Sequence, residues 1–244
     1  MKIWGKTDQG AVRSDNQDFY CMDLCHGNSK AVMVLCDGMG GANAGQVASK
    51  LAAEAISGEV HRRMRRSMNA EYMKSTLTEA VKVGNEAVFR RAEEDPECAG
   101  MGTTAVAVLA DVSRAVIANV GDSRAYLVNE EGITRITNDH SLVEEMLSRG
   151  EITREEAKNS NKKNYITRAV GTEAEVTCDL FEIRLFAEDR ILLCSDGLSN
   201  LVDEQEILYE VTAAGSDSDC CERLVKIALS RGAPDNVTVL LLKI

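Results

Sequence analysis

Residues 103–128 read Thr103-Thr-Ala-Val-Ala-Val-Leu-Ala110-Asp-Val-Ser-Arg-Ala115-Val-Ile-Ala-Asn-Val120-Gly-Asp-Ser-Arg-Ala125-Tyr-Leu-Val128. Three apolar runs rich in β-branched residues, 103–110, 115–120 and 125–128, follow one another with no helical period between them, which reads as consecutive strands. Working outward, similar runs occur at 31–36, 176–185, 190–194 and 237–244. Between the first run and the quoted stretch lie two helical patterns. One covers 46–60, with Val47, Leu51, Ala55 and Ile56 near one face. The other covers 70–94, where Met73, Leu77, Ala80, Val81, Gly84, Ala87 and Val88 keep i, i+3, i+4, i+7 spacing and mark a core face. Gly84 in that face allows close backbone packing. Capping boxes at Ser141-x-x-Glu144 and Thr153-x-x-Glu156 start short helices, with Gly150 ending the first. Two more helices follow 190–194, one opening at Asp203 with Glu206 three residues on, the other near Asp217 and ending before Gly232. Clustered strands with paired helices between them predict an α+β fold or layered sandwich with mainly antiparallel sheets.

The chain has 244 residues, and no linker or repeat divides it, so one domain over 1–244 is expected. A formal charge of −11 argues against binding nucleic acid or an anionic membrane surface, both of which draw affinity from Lys and Arg. The longest apolar runs, such as 31–36 and 237–242, fall far short of the ~18 residues of a membrane span. The first ten residues carry no apolar stretch of a secretory signal. Eight cysteines show no Cys-x-x-Cys pair, and their preferred reading is core filler in a reducing cytosol rather than metal or redox use.

The aspartates are the informative residues. Three apolar runs each end on an aspartate followed by a small residue: Val34-Leu-Cys-Asp37-Gly38, Asn119-Val-Gly-Asp122-Ser123 and Leu193-Cys-Ser-Asp196-Gly197. Asp235 stands just before the last run, and Asp18 sits beside Phe19-Tyr20-Cys21-Met22. A carboxylate at the edge of a buried strand is costly unless it is paired or bound to a cation, and few basic residues lie beside these five. An all-oxygen set without His or Cys suits hard ions, Mg²⁺ or Mn²⁺. The glycine after Asp37 and Asp196 permits a tight turn and lets the backbone approach an ion closely. The competing reading is ordinary Asp-Gly turn chemistry at a strand end. Spacing alone leaves the two readings balanced.

At these residues the chain resembles the protein phosphatase 2C family, the metal-dependent serine/threonine phosphatases. The resemblance runs through Gly10-x-x-Arg13-x-x-Asn16-Gln17-Asp18, Asp37-Gly38-Met39-Gly40-Gly41 and Gly102-Thr103-Thr104-Ala105. It continues with Asn119-Val120-Gly121-Asp122-Ser123-Arg124, Asp139-His140-Ser141 and Thr167-Arg168-Ala169-Val170-Gly171, and closes with Ser195-Asp196-Gly197-Leu198 and Asp235-Asn236-Val237-Thr238. The short chain and the Met after Asp37-Gly38 are similar to the bacterial branch. The resemblance implies a four-layer α/β/β/α sandwich, two antiparallel sheets flanked by helix pairs, with a metal centre at one end. It implies two Mn²⁺ or Mg²⁺ ions, with room for a third. Asp37 would bridge two of them, the Gly38 carbonyl would bind the first, and Asp196 with Asp235 the second. Asp122 with Asp196 matches the third-ion ligands, and Asp18 matches an acidic residue acting through metal-bound water. Arg13 matches the arginine that grips the substrate phosphate, and about 141–165 matches a mobile flap. The implied reaction is hydrolysis of phosphoserine and phosphothreonine in proteins by a metal-bridging hydroxide. The implied enzyme is a cytoplasmic monomer that opposes a cognate kinase.

Three departures qualify the match. Gln17 stands where many members carry Glu, Met39 replaces a His that some eukaryotic members use as proton donor, and Asn161-Lys162-Lys163-Asn164 is individual to this chain. The alternative function is a catalytically silent pseudophosphatase, which would be expected to lack Asp37, Asp196, Asp235 or Arg13; a metal-dependent phosphodiesterase is the other enzyme reading. Cys178 and Arg184 have the spacing of a thiol phosphatase, but the residues between them alternate like a strand and cannot cradle phosphate. Gly121-Asp122-Ser123 lacks the rest of a serine-hydrolase elbow. His140 reads as a structural hydrogen-bonding residue. The run His61-Arg-Arg-Met-Arg-Arg66 reads as a solvated helix end, and Cys220-Cys221 as part of the last helix with one of the two facing the core.

Overall fold

Two antiparallel sheets form the middle of the molecule, which a computed structural model describes over residues 1–41, 44–153, 156–157, 160, 165–212 and 215–244. The first sheet has the order β2 (Asp18–Cys25), β3 (Lys30–Met39), β5 (Ala105–Asp111), β6 (Arg114–Val120), β9 (Asp179–Arg184), with the short β4 (Gly102–Thr103) on the end of β3. The second has the order β1 (Lys2–Asp8), β11 (Val237–Lys243), β10 (Arg190–Cys194), β7 (Arg124–Asn129), β8 (Gly132–Arg135). Every described pairing is antiparallel.

The period-2 geometry of β3 explains why its run is apolar without a break. Ala31, Met33 and Leu35 enter the core between the sheets with Val106, Ile117, Leu193 and Leu240. The alternate residues Val32, Val34 and Cys36 face helices α1 (Ala44–Arg63) and α2 (Ala70–Glu94). On the far side, Leu192, Cys194, Val239 and Leu241 of the second sheet pack under α5 (Glu204–Thr212) and α6 (Asp217–Ser230). Both faces of both sheets are therefore buried, and the layers stack as α/β/β/α, the expected sandwich. Helix α2 starts at Ala70 because the Asn69 side chain accepts from the Tyr72 N–H at 2.9 Å. It lies close on α1 through Gly84, where a Cβ would sit 2.7 Å from Ile56 Cγ1. Helix α5 opens on a reciprocal box between Asp203 and Glu206. Thr153 and Glu156 form another.

The runs of the quoted stretch become β4 to β7. The helices predicted over 46–60 and 70–94, from Ser141, from Asp203 and near Asp217 form at those places, while the one expected from Thr153 falls largely outside the described residues. Strands β1, β2 and β8 were not among the runs read as strands, and each is the half-exposed edge of its sheet; β1 and β8 are rich in polar residues, whereas β2 carries the apolar stretch Phe19-Tyr20-Cys21-Met22. The expected strand over 176–185 shortens to β9, also an edge. The reading of Cys220-Cys221 is corrected, since both residues are buried. Helix α6 touches β1 and β11 beneath it and α5 beside it, so a wider arc than one stripe is covered.

Candidate metal centre

The antiparallel order places five chain segments at one end of the sandwich: the start of β2, the end of β3, the β6–β7 turn, the end of β10 and the start of β11. Asp18 and Asp37 face each other across β2 and β3. The Asp37 backbone is tied on both sides, its N–H donating to Thr104 Oγ1 at 2.9 Å and its carbonyl accepting from Thr103 Oγ1 at 2.8 Å and Thr104 N at 2.9 Å. The Asp-Gly dipeptides are not turns, contrary to the tight turn expected of their glycines. Strand β3 runs through Gly38 to Met39. Asp196-Gly197 opens a short helix, α4 (Asp196–Ser199). Gly38 is required by close approach instead, because a Cβ there would lie 2.0 Å from the Gly45 carbonyl at the start of α1.

Asp196 accepts from Asn200 Nδ2 at 3.0 Å. Asp235 accepts from its neighbour's Asn236 N–H at 2.9 Å and from Arg13 at 2.8 Å. Asn236 in turn staples the N-terminal loop to β11, donating to the Gln9 and Asp15 carbonyls and accepting from the Gln17 N–H. That staple brings Arg13 and Asp18 to the other aspartates. Asp18 is buried, and one of its oxygens accepts from Ser195 Oγ at 2.8 Å and Thr238 Oγ1 at 2.6 Å. Asp122 follows Gly121, which His140 grips twice: the Gly121 N–H donates to Nδ1 at 3.0 Å, and the Gly121 carbonyl accepts from the His140 N–H at 2.9 Å. His140 Nε2 lies 3.2 Å from Asp179, which also pairs with Arg168. This histidine is the structural residue that the sequence suggested, and its task is to position Asp122.

Electrostatics shows that the aspartates form one cluster. Burial, then Asp196 and Asp235, push the Asp18 carboxyl up to about 7 against its two hydroxyl donors. Asp37 is raised well above the carboxylate range by burial and by Asp18, Asp196, Asp122 and Asp235. Burial and Asp196 raise Asp122 to about 7, and burial with Asp235 raises Asp196 to about 6. One oxygen of Asp18 and one of Asp196 are buried without a hydrogen-bond partner. Crowded, oxygen-only carboxylates with unpartnered buried atoms fit hard divalent cations. No three of these five place ligand oxygens all within 4.8 Å of one another; among the described residues only Asp23, Cys25 and His61 form such a group. The spread fits more than one ion, each keeping part of its water shell.

Arg13 stands exposed at the rim, its pKa raised through Asp235 and, more weakly, Asp37 and Asp196. A cavity of about 880 Å³ opens beside Asp122 and Asp196. Its other wall is α3 (Leu142–Ser148), which begins the expected flap segment. The ends of that segment are pinched together by a Ser141–Ile166 bridge and a bond from Leu142 N–H to the Tyr165 carbonyl at 2.8 Å. Residues 161–164 lie outside the described residues. Cys178 does not form a thiol-phosphatase loop, since β9 follows it directly and burial pushes its thiol up.

The six side chains singled out from sequence, Arg13, Asp18, Asp37, Asp122, Asp196 and Asp235, all converge here. The supports Thr104, Ser195, Asn236 and Thr238 were not singled out, although each lies in a quoted motif. Their signal is a polar side chain inside or beside an apolar strand, with no partner nearby in sequence. Thr238→Val removes one of the two bonds on Asp18 and is expected to weaken Mn²⁺ affinity about 10–100-fold, read by calorimetric titration. Unchanged affinity would show that Asp18 needs no orienting partner.

The family model for protein phosphatase 2C matches residues 9–226. A serine/threonine phosphatase, stp, of Listeria welshimeri is 37% identical over 238 residues, covering 98% of this chain and 94% of the relative. The crystal structure of the serine/threonine phosphatase Stp1 from Staphylococcus aureus superposes with a TM-score of 0.91 at 37% identity, covering 100% of this chain and 94% of that one. The catalytic domain of the serine/threonine protein phosphatase PstP, solved in complex with 2 manganese ions, gives a TM-score of 0.84 at 35% identity over 98% of this chain and 96% of that chain.

Proposed function

The chain belongs to the protein phosphatase 2C family, and from that premise we propose that it is a metal-dependent phosphatase hydrolysing phosphoserine and phosphothreonine in proteins. The observation that carries the reading is the convergence of five carboxylates and one arginine around buried, unpartnered oxygens. Asp37, the Gly38 carbonyl, Asp196 and Asp235 would hold two Mn²⁺ or Mg²⁺ ions, and Asp122 with Asp196 a third. Such ions lower the pKa of bound water and neutralise charge on a phosphoryl group. The protein's part is positioning. Arg13 presents a guanidinium fork at the rim, where it can take a phosphate dianion in two parallel hydrogen bonds. Asp18, anchored through one oxygen, keeps the other to accept a hydrogen bond from water at the centre. Met39 at the end of β3 supplies no proton, so the leaving hydroxyl takes its proton from another group.

The reading extends to one catalytic domain over 1–244, with the flap at about 141–165. It also extends to a monomer in the cytoplasm that acts on phosphoproteins, opposes a cognate kinase and leaves nucleic acid alone. All eight cysteines are free, and no helix among the described residues is long and apolar enough to cross a membrane.

The test is hydrolysis of an aryl phosphate monoester and a phosphothreonine peptide, with chelator and after Mn²⁺ add-back. Turnover that disappears and returns supports the reading; a folded, Mn²⁺-binding protein without turnover makes it a pseudophosphatase. Arg13→Ala is expected to raise KM at least tenfold with kcat largely kept, because it removes phosphate binding and leaves the carboxylates in place. A fall confined to kcat would place Arg13 in the transition state alone.

A further inference from the structure

A second group of metal-ligating side chains lies away from the aspartate cluster. Asp23 and Cys25 are two apart on β2 and so share a face, the face on which α1 packs. His61 comes down onto them from the last turn of α1. One ligand atom of each lies within 4.8 Å of the other two. His61 Nε2 is 3.1 Å from Asp23 Oδ2, and Cys25 Sγ is 3.8 Å from that same oxygen. A tetrahedral ion with ligand distances of about 2.0 Å to N and O and 2.3 Å to S separates its ligands by roughly 3.3–3.6 Å, close to both values.

The tautomer supports the same conclusion. His61 Nδ1 lies 2.7 Å from the Ser57 carbonyl, which only accepts, so Nδ1 carries the proton. The Nε2 lone pair of a neutral ring then faces a carboxylate, an arrangement that requires a cation between them or a second proton on the ring. A metal-bound histidine that donates its other N–H to a backbone carbonyl has this arrangement. Sulfur, imidazole and carboxylate together suit zinc rather than Mg²⁺ or Mn²⁺.

We infer that Asp23, Cys25 and His61 form a zinc site, with water completing the tetrahedron, that ties β2 to the end of α1. Five residues of strand, about 17 Å, separate Asp23 from Asp18, so this site is distinct from the aspartate cluster. It departs from the reading of every cysteine as core filler, and the run from His61 is a solvated helix end only from Arg62 onward.

The test uses the full chain in excess Mg²⁺, added to fill the aspartate cluster, titrated with Zn²⁺ against a chromophoric chelator and, in parallel, with Co²⁺. One Zn²⁺ is expected to bind, and Co²⁺ is expected to give a near-ultraviolet thiolate charge-transfer band. Cys25→Ser should abolish the band, and His61→Ala or His61→Gln should lower Zn²⁺ affinity at least tenfold. Cys21→Ser and Asp196→Asn should leave both signals in place, and Cys25→Ser should keep its turnover in Mg²⁺. Circular dichroism checks that each variant folds. The inference is overturned if no band forms, if the band survives Cys25→Ser, or if Zn²⁺ binding depends on Asp196 and not on Cys25 and His61. Asp23 and His61 would then be a plain imidazolium–carboxylate pair.

Discussion

Asp196→Asn is expected to leave a folded protein whose turnover on a phosphothreonine peptide falls by at least about three orders of magnitude at saturating Mn²⁺. Asp196 is the proposed ligand that two ions share, and the charge stabilisation those ions provide is worth several kcal/mol. The fold should survive because Asp196 supports little of it. Among the described residues its side chain bonds only Asn200, and α4 keeps its backbone bonds, including Asn200 N–H to the Asp196 carbonyl at 2.8 Å. Asparagine keeps the shape and removes the charge, so the chelated variant should melt no lower than the parent. Near-parental turnover with undiminished metal dependence would take Asp196 out of the mechanism. A collapsed melting temperature would show a structural role instead.

The second large effect is a pH dependence that metal should reverse. In chelator, Asp18 and Asp122 titrate at about 7 and Asp196 at about 6, against about 3.9 for an unfolded aspartate. Between about pH 4 and 7 the folded protein therefore holds more protons than the unfolded chain, and stability falls as pH rises through that window. The penalty grows through pH 7, and Asp37, raised well above the carboxylate range by burial and its neighbours, carries it higher. It is on the order of 2–4 kcal/mol for the coupled cluster, or several degrees in Tm. The chelated protein should thus melt higher at pH 5.5 than at pH 7.5. Glu59 and Glu206, held at about 2 by arginine pairs, contribute stability that is lost only below about pH 4.5, outside the window. His140, lowered by burial, acts in the opposite direction below about pH 6.5. Asp18→Asn isolates the cluster and should flatten the profile. Mn²⁺ should raise Tm most at pH 7.5, where the carboxylates are charged. A chelated protein more stable at pH 7.5 than at pH 5.5, unchanged by Asp18→Asn, would mean that the cluster is not strained.

How much was legible depended on how local the cause was. Helix α2 was readable to its ends because Asn69 and a repeating apolar face act within one segment. The β4–β7 stretch was readable because both sheet faces are buried and leave the runs unbroken. Edge strands β1 and β8 were not, since a half-solvated strand carries little pattern, and β2 showed only the apolar stretch Phe19-Tyr20-Cys21-Met22. The aspartates at strand ends were visible as a repeated Asp-small signal, but that signal alone left turn chemistry equally open. The eight motifs of the family decided it.

Pattern and spacing therefore indicated a layered α+β fold and a set of strand-end aspartates suited to a hard ion, and the family's motifs added the layer order and the six side chains proposed for the centre. Tertiary structure decided what depends on pairing across the chain. It placed Thr238 and Ser195 on Asp18, although they lie 220 and 177 residues away. It used Gly38 for a helix contact rather than a turn. It also brought His61 onto Asp23 and Cys25 across 38 and 36 residues. Periodicity reports the face on which a side chain lies. Which distant side chain meets it there is set by strand register and helix docking, and these exist only once the sheets have closed.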